Sequence, residues 1–210
     1  MSARIGIINY GMGNLRSVSN AFEAVGATAV ILSHPDDLSK ADKVVLPGVG
    51  SFGEGMKNLR EGGWTEALEG EVRCKGKPFL GLCLGMQLLA TTGTEGGVNS
   101  GFGWVPGTVV KVERGGDLRV PHVGWNDVLF TKPSLLFSGL GQSATFYFVH
   151  SFVLRPDSPD QVTGLCSYGG DFTASIEYQN IYATQFHPEK SHRAGLAVLR
   201  NFLEAGAPTC

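Results

Sequence analysis

The chain has 210 residues, 42% of them apolar and 17% charged, with a formal charge of −2 at pH 7. That composition excludes disorder and describes a globular chain long enough to bury about 70% of its unfolded surface. A nucleic-acid surface is excluded because no basic cluster is present, and the longest uncharged stretch, from Pro78 to just past Ala90, is too polar for a membrane span of ~20 apolar residues.

Arg4 to Tyr10 reads as a short buried strand, and Gly11-Met12-Gly13 turns it into a helix from about Asn14 to Val25. Leu15, Val18, Phe22 and Val25 share one face of that helix, and Gly26 closes it. Thr28 to Leu32 and Lys43 to Leu46 are the next strands, so the opening is β-α-β and predicts a parallel sheet. A dinucleotide fingerprint at Gly11 fails, because Arg16 stands where a third glycine belongs and no acidic residue ends the second strand. The loop Pro47-Gly48-Val49-Gly50-Ser51 follows the third strand. It is either a flexible connection or a set of backbone N–H groups free to face a developing oxyanion. Helical spacing then runs from Leu59 to Cys74 across Gly62-Gly63.

Phe79 to Leu82 is an apolar run bounded by Pro78, and helical periodicity resumes from Leu84. Cys83 therefore lies on a sharp strand-to-helix turn between Gly81 and Gly85, the layout of a nucleophile elbow with sulfur as the reactive atom. The following helix aims its positive N-terminal end at the sulfur and favours thiolate. A buried structural cysteine is the alternative. Gly93 to Gly103 is expected as a glycine-rich loop holding Glu95. Beyond it, residues 104–112, 122–130, 145–153, 162–167, 172–178 and 181–186 read as strands extending the same sheet, partly antiparallel. A last helix spans about Ser191 to Glu204, with Leu196, Leu199 and Phe202 inward. No stretch has the composition of a linker, so one domain over 1–210 is expected. Cys74, Cys83, Cys166 and Cys210 form no C-x-x-C pair and the opening apolar run is too short for a secretory leader, so a cytoplasmic protein without disulfides is expected.

Gln185-Phe186-His187-Pro188-Glu189-Lys190-Ser191 follows the last strand. In extended chain His187 and Glu189 project to one side, and Pro188 favours extension at His187. An imidazole and a carboxylate placed so could complete a triad with a thiol, or His187 could be a satisfied strand end and Glu189 a helix cap. His187, Glu189 and His192 lack any metal-ligand spacing, so no metal is expected.

Together, a glycine-rich loop after the third strand, an elbow cysteine and a C-terminal His-x-Glu resemble the class I (triad) glutamine amidotransferases. Within that family the chain is similar to the glutaminase subunits of imidazole glycerol phosphate synthases. The likeness runs nearly end to end and is carried by residues 9–15, 47–50, 81–87, 121–126, 146–151 and 185–191. Residues 91–101 and 155–161 match nothing diagnostic. The resemblance implies a flavodoxin-like α/β fold, with a mostly parallel central sheet, an antiparallel extension and helices on both faces. It implies hydrolysis of L-glutamine to glutamate and ammonia through a cysteinyl thioester, without a cofactor. Cys83 would be the nucleophile, His187 the proton carrier and Glu189 its orienter. The N–H groups of Leu84 and, after loop rearrangement, Val49 would meet the oxyanion. Glutamine would be held near Gly48, Gly50, Gln87, Glu95 and the backbone of Ser151 and Phe152. The implied partner is a (β/α)8-barrel synthase subunit in a heterodimer, contacted by Asn14, Val123, Trp125 and Lys190, with ammonia passed between them. A glutaminase for another pathway, such as pyridoxal phosphate synthesis, remains open, as do a non-catalytic regulatory module with this elbow and another cysteine hydrolase or chaperone-like relative.

Overall fold

A computed structural model describes residues 2–113 and 118–206, which leaves Cys210 outside the described residues. Strand β1 (Arg4–Ile8) leads to helix α1 (Leu15–Ala24), whose first turn is closed by the Asn14 side chain accepting from the Ser17 N–H at 3.2 Å. Strands β2 (Thr28–Leu32) and β3 (Lys43–Gly48) follow, then helices α2 (Phe52–Glu61) and α3 (Trp64–Leu68), the latter continued by a wide turn over Glu69–Cys74. Strand β4 (Phe79–Cys83) feeds a helix α4 of a single turn (Leu84–Gln87). Strands β5 (Ala90–Gly93), β6 (Asn99–Ser100), β7 (Val105–Lys111), β8 (His122–Phe130), β9 (Ser143–His150) and β10 (Phe152–Pro156) come next. Strands β11 (Val162–Ser167), β12 (Asp171–Tyr178) and β13 (Ile181–Thr184) precede the closing helix α5 (His192–Leu203).

Nine strands form one sheet in the order β2-β1-β3-β4-β13-β12-β11-β8-β9. Its first half, β2 through β13, is parallel, and every pairing from β13 to β9 is antiparallel. Parallel strands buried on both faces lose hydrophobic alternation, which is why β1, β3 and β4 read as apolar runs. Ile5, Ile7, Val45, Leu80 and Leu82 face one core with α1 and α5, whereas Ile8, Val44, Leu46 and Phe79 face the other with α2 and α3. The α/β fold with helices on both faces is as expected.

Three expectations are corrected. The helix after Cys83 stops at Gln87, because the Leu88 and Leu89 carbonyls turn outward to the N–H groups of Phe102 and Val105. The segment Val105–Lys111 does not extend the main sheet but joins a second sheet, β10-β7-β5-β6, in which β6 lies within the expected glycine-rich loop and β5 ends where that loop begins. The span 145–153 is not one strand, since β9 ends at His150 and the chain crosses at Ser151 to the second sheet as β10.

Candidate active site

The carboxyl ends of β3 and β4 lie side by side, with Gly48 opposite Cys83. Cys83 has φ 53° and ψ −104°, an unfavourable backbone for a residue with a Cβ and the strained corner expected of an elbow. Its two glycines are needed for contact. A Cβ on Gly81 would lie 2.7 Å from the Gly85 carbonyl oxygen, and one on Gly85 would overlap the Leu46 carbonyl. Leu84 opens α4, so its N–H has no acceptor within the helix. With one turn of helix behind it, the dipole expected to act on the sulfur is small.

Cys83 is 5% exposed and lines a cleft of about 410 Å³. Val49, Gly50, Leu84, Gln87, Glu95, Ser151 and Phe152 line it too, so the residues suggested for glutamine binding meet there, except Gly48, which lies just behind against Cys83. A larger open groove of about 520 Å³ passes Arg60, Glu66 and Glu69 but offers neither thiol nor imidazole. Several lining groups already hold structure together. Glu95 accepts from the Phe52 N–H at 2.9 Å and so caps α2, a task the Ser51 side chain leaves undone. Gln87 donates through Nε2 to the Phe152 carbonyl at 2.8 Å and to Oε1 of Gln185 at 3.0 Å.

His187 Nδ1 lies 2.8 Å from Glu189 Oε1, with the two side chains only 4% and 3% exposed. The pairing is the expected one but its cause differs: Pro188–Lys190 is a 3-10 turn, and the turn, not extended alternation, brings the carboxylate back to the ring. Glu189 does not cap α5. Ser191 fixes the arrangement, accepting from the Tyr147 N–H at 3.0 Å and donating to the His187 carbonyl at 2.6 Å. Burial is the largest single influence on His187 and lowers its pKa, but the Cys83 sulfur and then Glu189 outweigh it and hold the imidazole above its ordinary range. Nε2, the nitrogen left over for the sulfur, and Glu189 Oε2 have no other hydrogen-bond partner. The sulfur, the imidazole and the carboxylate thus converge, with the sulfur open to the cleft and the other two behind it.

Sequence reasoning did not single out Gln185, whose Nε2 donates to Cys83 Sγ at 3.5 Å. It also passed over Tyr10, whose buried hydroxyl is unpaired and packs over Gly48. Burial, and then the nearby Cys83, raise the Tyr10 pKa. No local pattern marks either residue, because both come to the site from segments far from Cys83 in the chain, Tyr10 just after β1 and Gln185 just after β13. Of the residues suggested for a partner surface, Val123 is 56% and Trp125 47% exposed. The Trp125 ring stacks on His192 at 4.9 Å and meets Tyr147 edge-on at 5.8 Å, and Lys190 Nζ stands 5.9 Å from the Tyr147 ring. Asn14 is exposed at the start of α1, the helix that packs against the 188–190 turn.

The sequence profile of the glutamine amidotransferase class-I family matches residues 6–205. Similar proteins include imidazole glycerol phosphate synthase subunit HisH 1 of Campylobacter jejuni, 50% identical over 94% of this chain and 98% of the relative. The corresponding HisH subunit of Geobacter metallireducens is 48% identical over 95% of this chain and 97% of the relative, and that of Methanothermobacter thermautotrophicus 48% over 95% and 98%. The solved structure of PurLQS from Thermotoga maritima superposes with a TM-score of 0.77 at 20% identity, covering 97% of this chain and 99% of that one. A crystal structure of a glutamine amidotransferase superposes at 0.73 and 22% identity, covering 96% and 97%, and both likenesses concern the fold alone. By the extent of these matches, the chain belongs to the class-I glutamine amidotransferase family.

Proposed function

We propose that this chain is the glutaminase subunit of an imidazole glycerol phosphate synthase, hydrolysing L-glutamine to glutamate and ammonia for a synthase partner. The single observation that carries the proposal is the buried His187–Glu189 pair beside a cysteine that opens into a cleft, in a chain about half identical to such subunits.

In the proposed reaction Cys83, as thiolate opposite imidazolium His187, attacks the side-chain amide carbon of glutamine. The C–N bond breaks as His187 Nε2 gives its proton to the departing nitrogen, leaving a thioester and ammonia. Water then loses a proton to His187 Nε2 as it adds to the thioester carbonyl, and glutamate leaves as the C–S bond breaks. Glu189 keeps the Nδ1–H of His187 directed toward it throughout, which selects the tautomer and balances the imidazolium. The oxyanion is met by Leu84 N–H and, once the Gly48–Gly50 segment rearranges, Val49 N–H, a single donor being worth about 3 kcal/mol of transition-state stabilisation. Gly48, Gly50, Gln87, Glu95, Ser151 and Phe152 surround the amino-acid end. The chain acts as one domain, in the cytoplasm, in a heterodimer whose other subunit is a (β/α)8 barrel docked over Asn14, Val123, Trp125 and Lys190.

The test is ammonia release from glutamine by the chain mixed with its synthase subunit and the ribonucleotide acceptor, in wild type and Cys83→Ala. Turnover abolished by the substitution, with a reactive glutamine analogue labelling Cys83 in wild type, is expected. Undiminished turnover in Cys83→Ala, or label on another residue, would overturn the assignment.

A further inference from the structure

Two histidines outside the triad touch in the core. His122 on β8 and His150 at the end of β9 are 3% and 6% exposed, and Nδ1 of the first lies 3.1 Å from Nε2 of the second. The direction of this bond is fixed by what lies at its ends. Nδ1 of His150 sits 3.1 Å from the Phe152 carbonyl, which can only accept, so that nitrogen carries the proton. Burial, with smaller contributions from His122 and His187, keeps His150 neutral, and its Nε2 is therefore an acceptor. His122 must then donate from Nδ1, and its Nε2 is an acceptor too. The Asn126 amide stands 3.5 Å from that Nε2 and donates its other hydrogen to the Ser167 carbonyl at 3.0 Å.

The chain of bonds continues in the opposite sense beyond Phe152. The same carbonyl accepts from Gln87 Nε2, which also donates to Gln185 Oε1, and Gln185 Nε2 donates to Cys83 Sγ. Turning the Gln87 amide over would set its oxygen against two carbonyl oxygens, so its orientation is forced. One unbroken series thus joins β8, the strand that carries Val123 and Trp125 on its exposed side, to the sulfur. Each member has one satisfactory proton arrangement.

Resting on the glutaminase reading above, we propose that the His122–His150 pair is a positioning device for that reaction, holding the Phe152 carbonyl and Gln87 at the wall of the glutamine cleft. His150 itself lines that wall. Without the donor on His122, His150 has a buried ring nitrogen with no partner and no reason to keep its orientation. Phe152 then loses one of its two donors, and Gln87 its fixed acceptor. The ring of His122 stacks on Tyr168 at 3.9 Å and on Phe148 at 4.9 Å, so an aromatic replacement preserves packing while deleting the bond.

The experiment uses the complex of this chain with its synthase subunit and compares His122→Phe, which keeps the ring, with His122→Asn, which keeps a donor near the Nδ1 position. His122→Phe is expected to raise KM for glutamine about tenfold, the usual consequence of stranding one buried polar group, with His122→Asn within about threefold of wild type. Nitrogen-15 spectra of the wild-type chain at neutral pH should show both imidazoles neutral and protonated on Nδ1, a readout independent of any activity. Equal KM in the two variants and wild type, or either ring found protonated on Nε2, would overturn the positioning role. Absence of glutamine turnover in the wild-type complex would instead strike at the glutaminase reading and leave the tautomer measurement standing.

Discussion

At the level of single residues, charge state separates the three buried histidines. His187 is held toward its charged form by a sulfur and a carboxylate in spite of its burial, whereas burial pushes His122 down to about 4 and His150 down to about 3. For His150 the sign is clear: its folded pKa lies below the unfolded value near 6.5, so the unfolded chain takes up the proton first as pH falls. Stability is full above that value and declines through the window down to about 3. Each pH unit in the window costs about 1.4 kcal/mol for this one group. Between pH 7 and pH 5 denaturant unfolding should therefore lose about 2 kcal/mol from His150, a loss absent in His150→Gln. An unchanged slope in that variant would mean the acid sensitivity arises elsewhere. Neither His122 nor His150 could be told from a surface histidine by its sequence neighbours, because a period-two strand does not say which face is buried. Cys83, by contrast, was legible through its two glycines.

Among the elements, the elbow shows what local sequence can and cannot disclose. Gly81 and Gly85 are required because β4 and α4 pack on each other and on β3 without room for a Cβ, a constraint visible as G-x-C-x-G. Gly85→Ala should therefore cost stability by overpacking, about 3 kcal/mol, and displace the Leu84 N–H, lowering glutamine turnover at least tenfold. Thermal unfolding and ammonia release of the purified variant measure both, and a near-native melting temperature would show that β3 yields easily. The length of α4 was not legible. Leu84 to Ala90 is buried on every side, so its apolar residues carry no period by which to recognise where helix gives way to strand. The second sheet was hidden for a related reason: β9 and β10 are separated only by Ser151, with no glycine or proline, and the change of sheet is made by pairing β10 with β7 far back in the chain. His187 and Glu189 meet as the spacing suggested, although a 3-10 turn does the work assigned to extension.

For the molecule as a whole, the exposed face of β8 and the sulfur are only one strand apart. Val123 on β8 pairs with Val149 on the edge strand β9, and the Val149 carbonyl lies 3.9 Å from Cys83 Sγ on its other side. A partner that presses on Val123 and Trp125 therefore acts on a strand in direct contact with the nucleophile, while Val49, 44% exposed, stands at the cleft mouth. Trp125 is a large half-exposed aromatic whose flat face is already set by the parallel His192 ring, so little freedom is left to lose on docking. Truncating such an anchor typically costs an interface 2 kcal/mol or more, about thirtyfold in Kd. Its contribution to the free chain is confined to two half-exposed aromatic contacts, the stack on His192 and the edge of Tyr147, on the order of 1 kcal/mol. Trp125→Ala should thus leave the melting temperature of the isolated chain nearly unchanged, weaken association with the synthase subunit about thirtyfold by titration calorimetry, and reduce partner-stimulated ammonia release at subsaturating synthase by a similar factor. Equal affinity of wild type and variant would move the docking surface away from β8, and the Val123–Val149 pairing would lose its place in communication between partner and thiol.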